Sequence, residues 1–296
     1  MKRFLVGLAL VASPVLAAEP PPDPSQTMAA REDIAMRMTV PVTIGAHGPF
    51  NFVVDTGADR TVVAQQVAER LGLAPGPTAT LHAMSGVSQI TTVQVPSLDI
   101  AGRQVRNVQA PALDQVNLGA QGLLGIDSLQ GRRIIMDFRQ RTMTVLPAGE
   151  RERVEDGTIV VTARSRYGQL VLVDADVDGS PVTVIIDSGA QNTVGNAALR
   201  RLLGKRNRKL EFFKTELIDV TGGRLPAELA GIGRVRIGGI TMQDVVVAFA
   251  DAHPFKRFGL SERPAMLLGM DTLRAFRRVS VDFAQRKVRF LPPEGA

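Results

Sequence analysis

The chain has 296 residues, 45% apolar and 22% charged, so it can bury one large core or two ordinary ones and is too apolar for a disordered tail. With no Cys, disulfides, thiol catalysis and zinc–thiolate sites are excluded, and the three His (His47, His82, His253), read as surface or loop residues, have no spacing suited to a metal. A formal charge of +6 and 4% aromatic content, with no Trp and one Tyr, describe an ordinary basic surface and give no reason to expect a nucleic-acid partner.

In chain order, residues 1–17 read as an export signal. Lys2-Arg3 is the charged start, Phe4 to Leu16 the apolar stretch, and Val15 and Ala17 suit a cleavage site. An uncleaved anchor is the alternative. Residues 18–33, with Glu19-Pro20-Pro21-Pro22-Asp23-Pro24, read as a Pro-rich extended tether. The processed protein is expected in the periplasm or outside the cell, with no stable membrane insertion.

Beyond this point the chain repeats itself. Phe52-Val53-Val54-Asp55-Thr56-Gly57-Ala58 and Val184-Ile185-Ile186-Asp187-Ser188-Gly189-Ala190 lie 132 positions apart. Leu123-Leu124-Gly125-Ile126-Asp127 and Leu267-Leu268-Gly269-Met270-Asp271 recur at an offset of 144, and Asp137-Phe138 and Asp282-Phe283 at 145. The repeats define two related lobes, residues 34–146 and 158–296, joined by a charged linker at 147–157.

Within each lobe the alternating β-rich runs dominate, as in Met38 to Ile44, Thr142 to Val145 and Val279 to Phe283. Short helices are expected at Ala64–Leu71, stopped by Gly72, and at Ala197–Leu203, stopped by Gly204. Two more follow Asp127 and Asp271, read as their N-caps. The fold class is all-β, in two related lobes. The basic run Arg200 to Lys209 reads as a solvated helix end and loop, with contact to anionic lipid headgroups or an acidic substrate as the other reading, and Asp178-Gly179 as a hairpin turn rather than part of a calcium loop.

A single Asp-Thr/Ser-Gly would arise by chance in roughly one chain in seven of this size. Two copies, each after an apolar strand and each followed by Leu-Leu-Gly, are far more specific. The strand buries itself, the tight turn presents the Asp, and Gly leaves room for a second segment to approach. Lobes packed about a pseudo-twofold axis would bring Asp55 and Asp187 together. Two carboxylates about 3 Å apart share one proton, so one can activate a water while the other donates to a carbonyl. Neither cofactor nor metal is needed.

Asp55-Thr56-Gly57-Ala58 and Asp187-Ser188-Gly189-Ala190, with Leu123-Leu124-Gly125 and Leu267-Leu268-Gly269, resemble the retropepsin-like aspartic proteases. The resemblance covers both lobes. It implies β-barrel lobes in a pseudo-twofold acid-protease fold, a monomer forming an intramolecular pseudodimer, and a polypeptide substrate. It also implies that Asp55 and Asp187 form the catalytic dyad, that the apolar-apolar-Gly segments thread behind the catalytic turns, and that Thr56 and Ser188 lock those turns together. Pepsin-like disulfides are absent, and Tyr167 precedes the second Asp, so it does not match the pepsin-like flap Tyr. Gly-rich flap tips are expected at Ser85-Gly86 and Gly222-Gly223, with ordinary surface hairpins as the other reading. The functional readings are an exported aspartic endopeptidase or a catalytically silent peptide- or ligand-binding protein on the same scaffold.

Overall fold

A computed structural model describes residues 27–29, 31–32, 37–129, 131–147, 154–172 and 174–295. The expected export signal, and residues 148–153 of the expected linker, lie outside them.

The protein is two β-barrel lobes built on one plan. In the first, six strands close a ring: Met38–Ile44, His47–Val54, Gly122–Leu124, Val62–Ala64, Arg103–Leu113, Thr92–Ile100 and back to Met38–Ile44. In the second the order is the same: Gln169–Leu172, Thr183–Ile186, Ala265–Leu268, Val194–Gly195, Ile240–Phe249, Arg224–Ile237 and Ala175–Val177. Gln169–Leu172 and Ala175–Val177 together stand where Met38–Ile44 stands in the first lobe.

Each strand leading into an Asp-Thr/Ser-Gly-Ala turn runs parallel to the Leu-Leu-Gly strand of its own lobe, Phe52–Val54 beside Gly122–Leu124 and Thr183–Ile186 beside Ala265–Leu268. A strand with neighbours on both sides and core on both faces reads as an unbroken apolar run. Phe52, Val53 and Val54 are accordingly all buried, as are Val184, Ile185 and Ile186.

An antiparallel sheet of six strands joins the lobes. At its centre Arg132–Asp137 pairs with Arg278–Asp282, Ile135 lying opposite Ser280. Arg133 faces the Asp282 carboxylate at 4.0 Å, and Arg278 donates to Asp137 from Nη2 at 2.9 Å. Arg133 and Asp137 are the repeat counterparts of Arg278 and Asp282, so the seam is self-complementary like the interface of a twofold dimer.

Three local expectations need correction. The tether segment 18–33 contains paired strands: Thr27–Ala29 joins Thr142–Pro147 at the edge of the seam, with Met28 buried, and Arg31–Glu32 pairs with Met38–Ile44. The second helix runs through Gly204 to Arg206. One Gly costs a helix about 1 kcal/mol, and this helix has Asn196 capping Leu199 N–H, Leu199 and Leu203 buried, and Lys205 and Arg206 in its last turn. The first helix, Gln65–Arg70, does end ahead of Gly72, whose φ is +59°. Asp127 and Asp271 lie inside the first turns of their helices rather than at the caps. Their Oδ1 atoms accept from the hydroxyls of Thr61 and Thr193, each at 2.7 Å, bracing the chain just after each Asp-Thr/Ser-Gly-Ala turn.

Candidate active site

Each Asp sits at the mouth of its turn because its own backbone is tied to the Leu-Leu-Gly strand. Asp55 N–H donates to Leu124 O at 3.0 Å and Asp187 N–H to Leu268 O at 3.1 Å. Each carboxylate then accepts from its own turn. Asp55 Oδ1 takes Gly57 N–H at 2.7 Å and Ala58 N–H at 2.9 Å; Asp187 Oδ1 takes Gly189 and Ala190 N–H, both at 3.1 Å.

The second residue of each motif crosses to the other lobe. Ser188 N–H donates to Thr56 Oγ1 and Thr56 N–H to Ser188 Oγ, both at 3.1 Å. The hydroxyls donate onward, Thr56 to Ile186 O at 3.1 Å and Ser188 to Val54 O at 2.8 Å. Both hydroxyls are buried, so each bond replaces water that is no longer available.

The two carboxyls meet at the axis, each lying against the glycine of the opposite turn. The third residue must be Gly in both copies: a Cβ on Gly57 would lie 2.5 Å from Asp187 Oδ1, and one on Gly189 would collide with the Asp55 carboxyl. Burial, reinforced by the neighbouring Asp187 charge, raises the Asp55 pKa to about 7. Burial also raises that of Asp187, against the pull of the Ala190 and Gly189 N–H bonds. A pair titrated in this way holds a proton in mildly acidic water.

Each lobe carries a hairpin after its Asp turn. Ala79–His82 and Val87–Ile90 form one, with Ser85 and Gly86 in its tip; Phe213–Ile218 and the start of Arg224–Ile237 form the other, with Gly222 and Gly223 in its tip. The tips touch. Asp219 Oδ2 accepts from Ser85 N–H at 2.8 Å and from Ser85 Oγ at 2.5 Å, while Asp219 Oδ1 accepts from Thr221 and Gly223 of its own turn.

Several participants were invisible in the motifs. His82 and His253, expected as separate surface residues, stack with ring centroids 5.1 Å apart and share a 2.9 Å contact between Nδ1 and Nε2. His253 N–H also donates to Met84 O at 2.9 Å, fastening the first hairpin to the second lobe. Asp59 pairs across the lobes with Arg257 at 2.5 Å, and the Arg257 guanidinium lies over the Tyr167 ring. Arg37 donates to Gly189 O at 3.4 Å, and Gln169 donates to Gly57 O. Continuing the 132-residue register upstream would have paired Arg37 with Gln169; no local signal marks the others. Among the described residues no cluster of His, Cys, Asp or Glu could hold a metal ion.

Comparison with known families finds one match in each lobe. Residues 40–131 match the family described as gag-polyprotein putative aspartyl protease, and residues 173–272 match the family described as aspartyl protease. A search of curated proteins finds no match. With one such domain in each lobe, meeting at a shared pair of Asp turns, the chain belongs to the retropepsin-like, two-lobed aspartic proteases.

Proposed function

We propose that the protein is an exported endopeptidase that hydrolyses peptide bonds of extended polypeptides at an Asp55/Asp187 dyad. The observation that carries this reading is the pair of carboxyls meeting at the axis, each fixed by two N–H bonds of its own turn. Sharing one proton, the ionised carboxyl takes a proton from water as the oxygen attacks the scissile carbonyl carbon. The protonated carboxyl donates to the carbonyl oxygen, giving a neutral gem-diol. Collapse returns a proton to one carboxylate, and the other delivers a proton to the leaving nitrogen. Atoms balance with one water consumed per bond.

The hairpin tips at Ser85-Gly86 and Gly222-Gly223 serve as flaps, their backbone groups adding to an extended substrate as strands do. Export rests on residues 1–17 of the sequence; among the described residues no helix is long and apolar enough to cross a membrane. The chain supplies both halves of the site, so one copy suffices.

The test is cleavage of an unbiased peptide library from about pH 3 to about pH 8 by wild type, Asp55→Asn and Asp187→Asn. Each variant is expected to lose about 10²–10⁴-fold or more in kcat/KM while keeping its fold. Wild type that binds extended peptides without cutting them would instead favour a silent binding protein. Variants that cut like the wild type would remove the dyad assignment.

A further inference from the structure

Arg37 and Gln169 occupy equivalent places, each 18 residues before the Asp of its own lobe. Each reaches across the axis to the glycine carbonyl of the opposite catalytic turn. Arg37 donates from Nη1 to Gly189 O and from Nη2 to Leu118 O; Gln169 donates from Nε2 to Gly57 O. The hydrogen bond to the turn is thus kept in both lobes, but the charge is present in one. Arg37 is only 6% exposed, so its guanidinium charge lies inside the protein.

An ideal twofold axis makes the two carboxyls identical, and burial alone would keep both protonated, leaving no base for water. We propose that Arg37 is a positioning residue that breaks the symmetry of the dyad: it holds the Gly189 turn, and its charge favours the singly ionised pair, setting the pH range in which the site works. Gln169 supplies the same contact without the charge. The inference rests on the protease reading above.

The surrounding charges are otherwise engaged. Asp59, on the loop after the first turn, is paired with Arg257. Asp127 and Asp271 take the Thr61 and Thr193 hydroxyls. Asp219, in the second hairpin's tip, is bonded to Ser85 and Thr221, and His82 and His253 face each other. Of these charges Arg37 is the cation whose field acts on both dyad members, opposing the effect of burial.

The experiment is the pH profile of kcat/KM for wild type, Arg37→Gln, Arg37→Lys and the exchange variant Arg37→Gln/Gln169→Arg, each checked for an unchanged melting temperature. Carboxyl ¹³C titration of Asp-labelled protein is run alongside. Arg37→Gln is expected to move both limbs of the profile upward by about one pH unit, since the nearby cation that favoured ionisation is gone. Lys should recover part of the shift, and the exchange variant most of it. A profile that only drops in height, with limbs unmoved, would reduce Arg37 to a structural contact and overturn the inference. If wild type proves inactive on every peptide, the protease reading fails, and the ¹³C titration still decides: dyad resonances unmoved in Arg37→Gln overturn the electrostatic role independently.

Discussion

At the scale of single residues, the site depends on two carboxyls held in a place that burial makes hostile to charge. Asp55 titrates near 7 in the folded chain and near 3.8 when exposed, so the folded state holds more protons between those values. Its contribution to stability is therefore complete below about 3.8 and is lost as pH rises through about 7. Asp55→Asn, neutral at every pH, is expected to match wild type in melting temperature near pH 3 and to exceed it by several degrees above about pH 7. Thermal melts across that range check this; a constant difference would show that the dyad does not titrate there. Residues of this kind were legible from sequence because the motif is local and present twice. Asp127 and Asp271 were not, since a carboxylate in a first helical turn looks the same whether it caps its own helix or braces a Thr sixty or more residues away.

At the scale of elements, the two hairpin tips are tied to each other by a side chain. Burial pushes the Asp219 pKa up, but the Ser85 and Thr221 bonds outweigh it and hold the carboxyl below the usual range. The tie is thus present above the normal carboxylate pKa and survives into acid, being lost only as pH falls through the depressed value. Asp219→Ala should accelerate amide exchange at Ser85 about tenfold or more, because a bond to a charged acceptor contributes about 1.5–3 kcal/mol. Hydrogen-exchange mass spectrometry over residues 83–88 reads this directly; unchanged exchange would mean the tips are held by something else. The Gly-rich segments announced hairpin tips in the sequence, but their mutual contact joins residues 134 positions apart, and no spacing rule reaches that far. The helix through Gly204 was misjudged for the opposite reason: a local breaker was weighed without the cap and packing that outweigh it.

At the scale of the whole molecule, the duplication made the architecture readable, and its imperfections carry what the repeat could not. The seam is nearly symmetric, with Arg133, Asp137, Arg278 and Asp282 exchanging roles across Ile135 and Ser280. The cleft is not. One turn's glycine carbonyl is held by a cation where the other's is held by an amide, and the two hairpins differ in length, Ala79–His82 with Val87–Ile90 against Phe213–Ile218 with Arg224–Ile237. A peptide has an amino and a carboxyl direction, which two identical walls would accept equally well. Unlike surroundings make the two threadings unequal, and a difference of about 1.4 kcal/mol is enough to favour one of them tenfold. On the protease reading proposed above, two unlike halves in one chain give the cleft a reading direction, a beginning and an end.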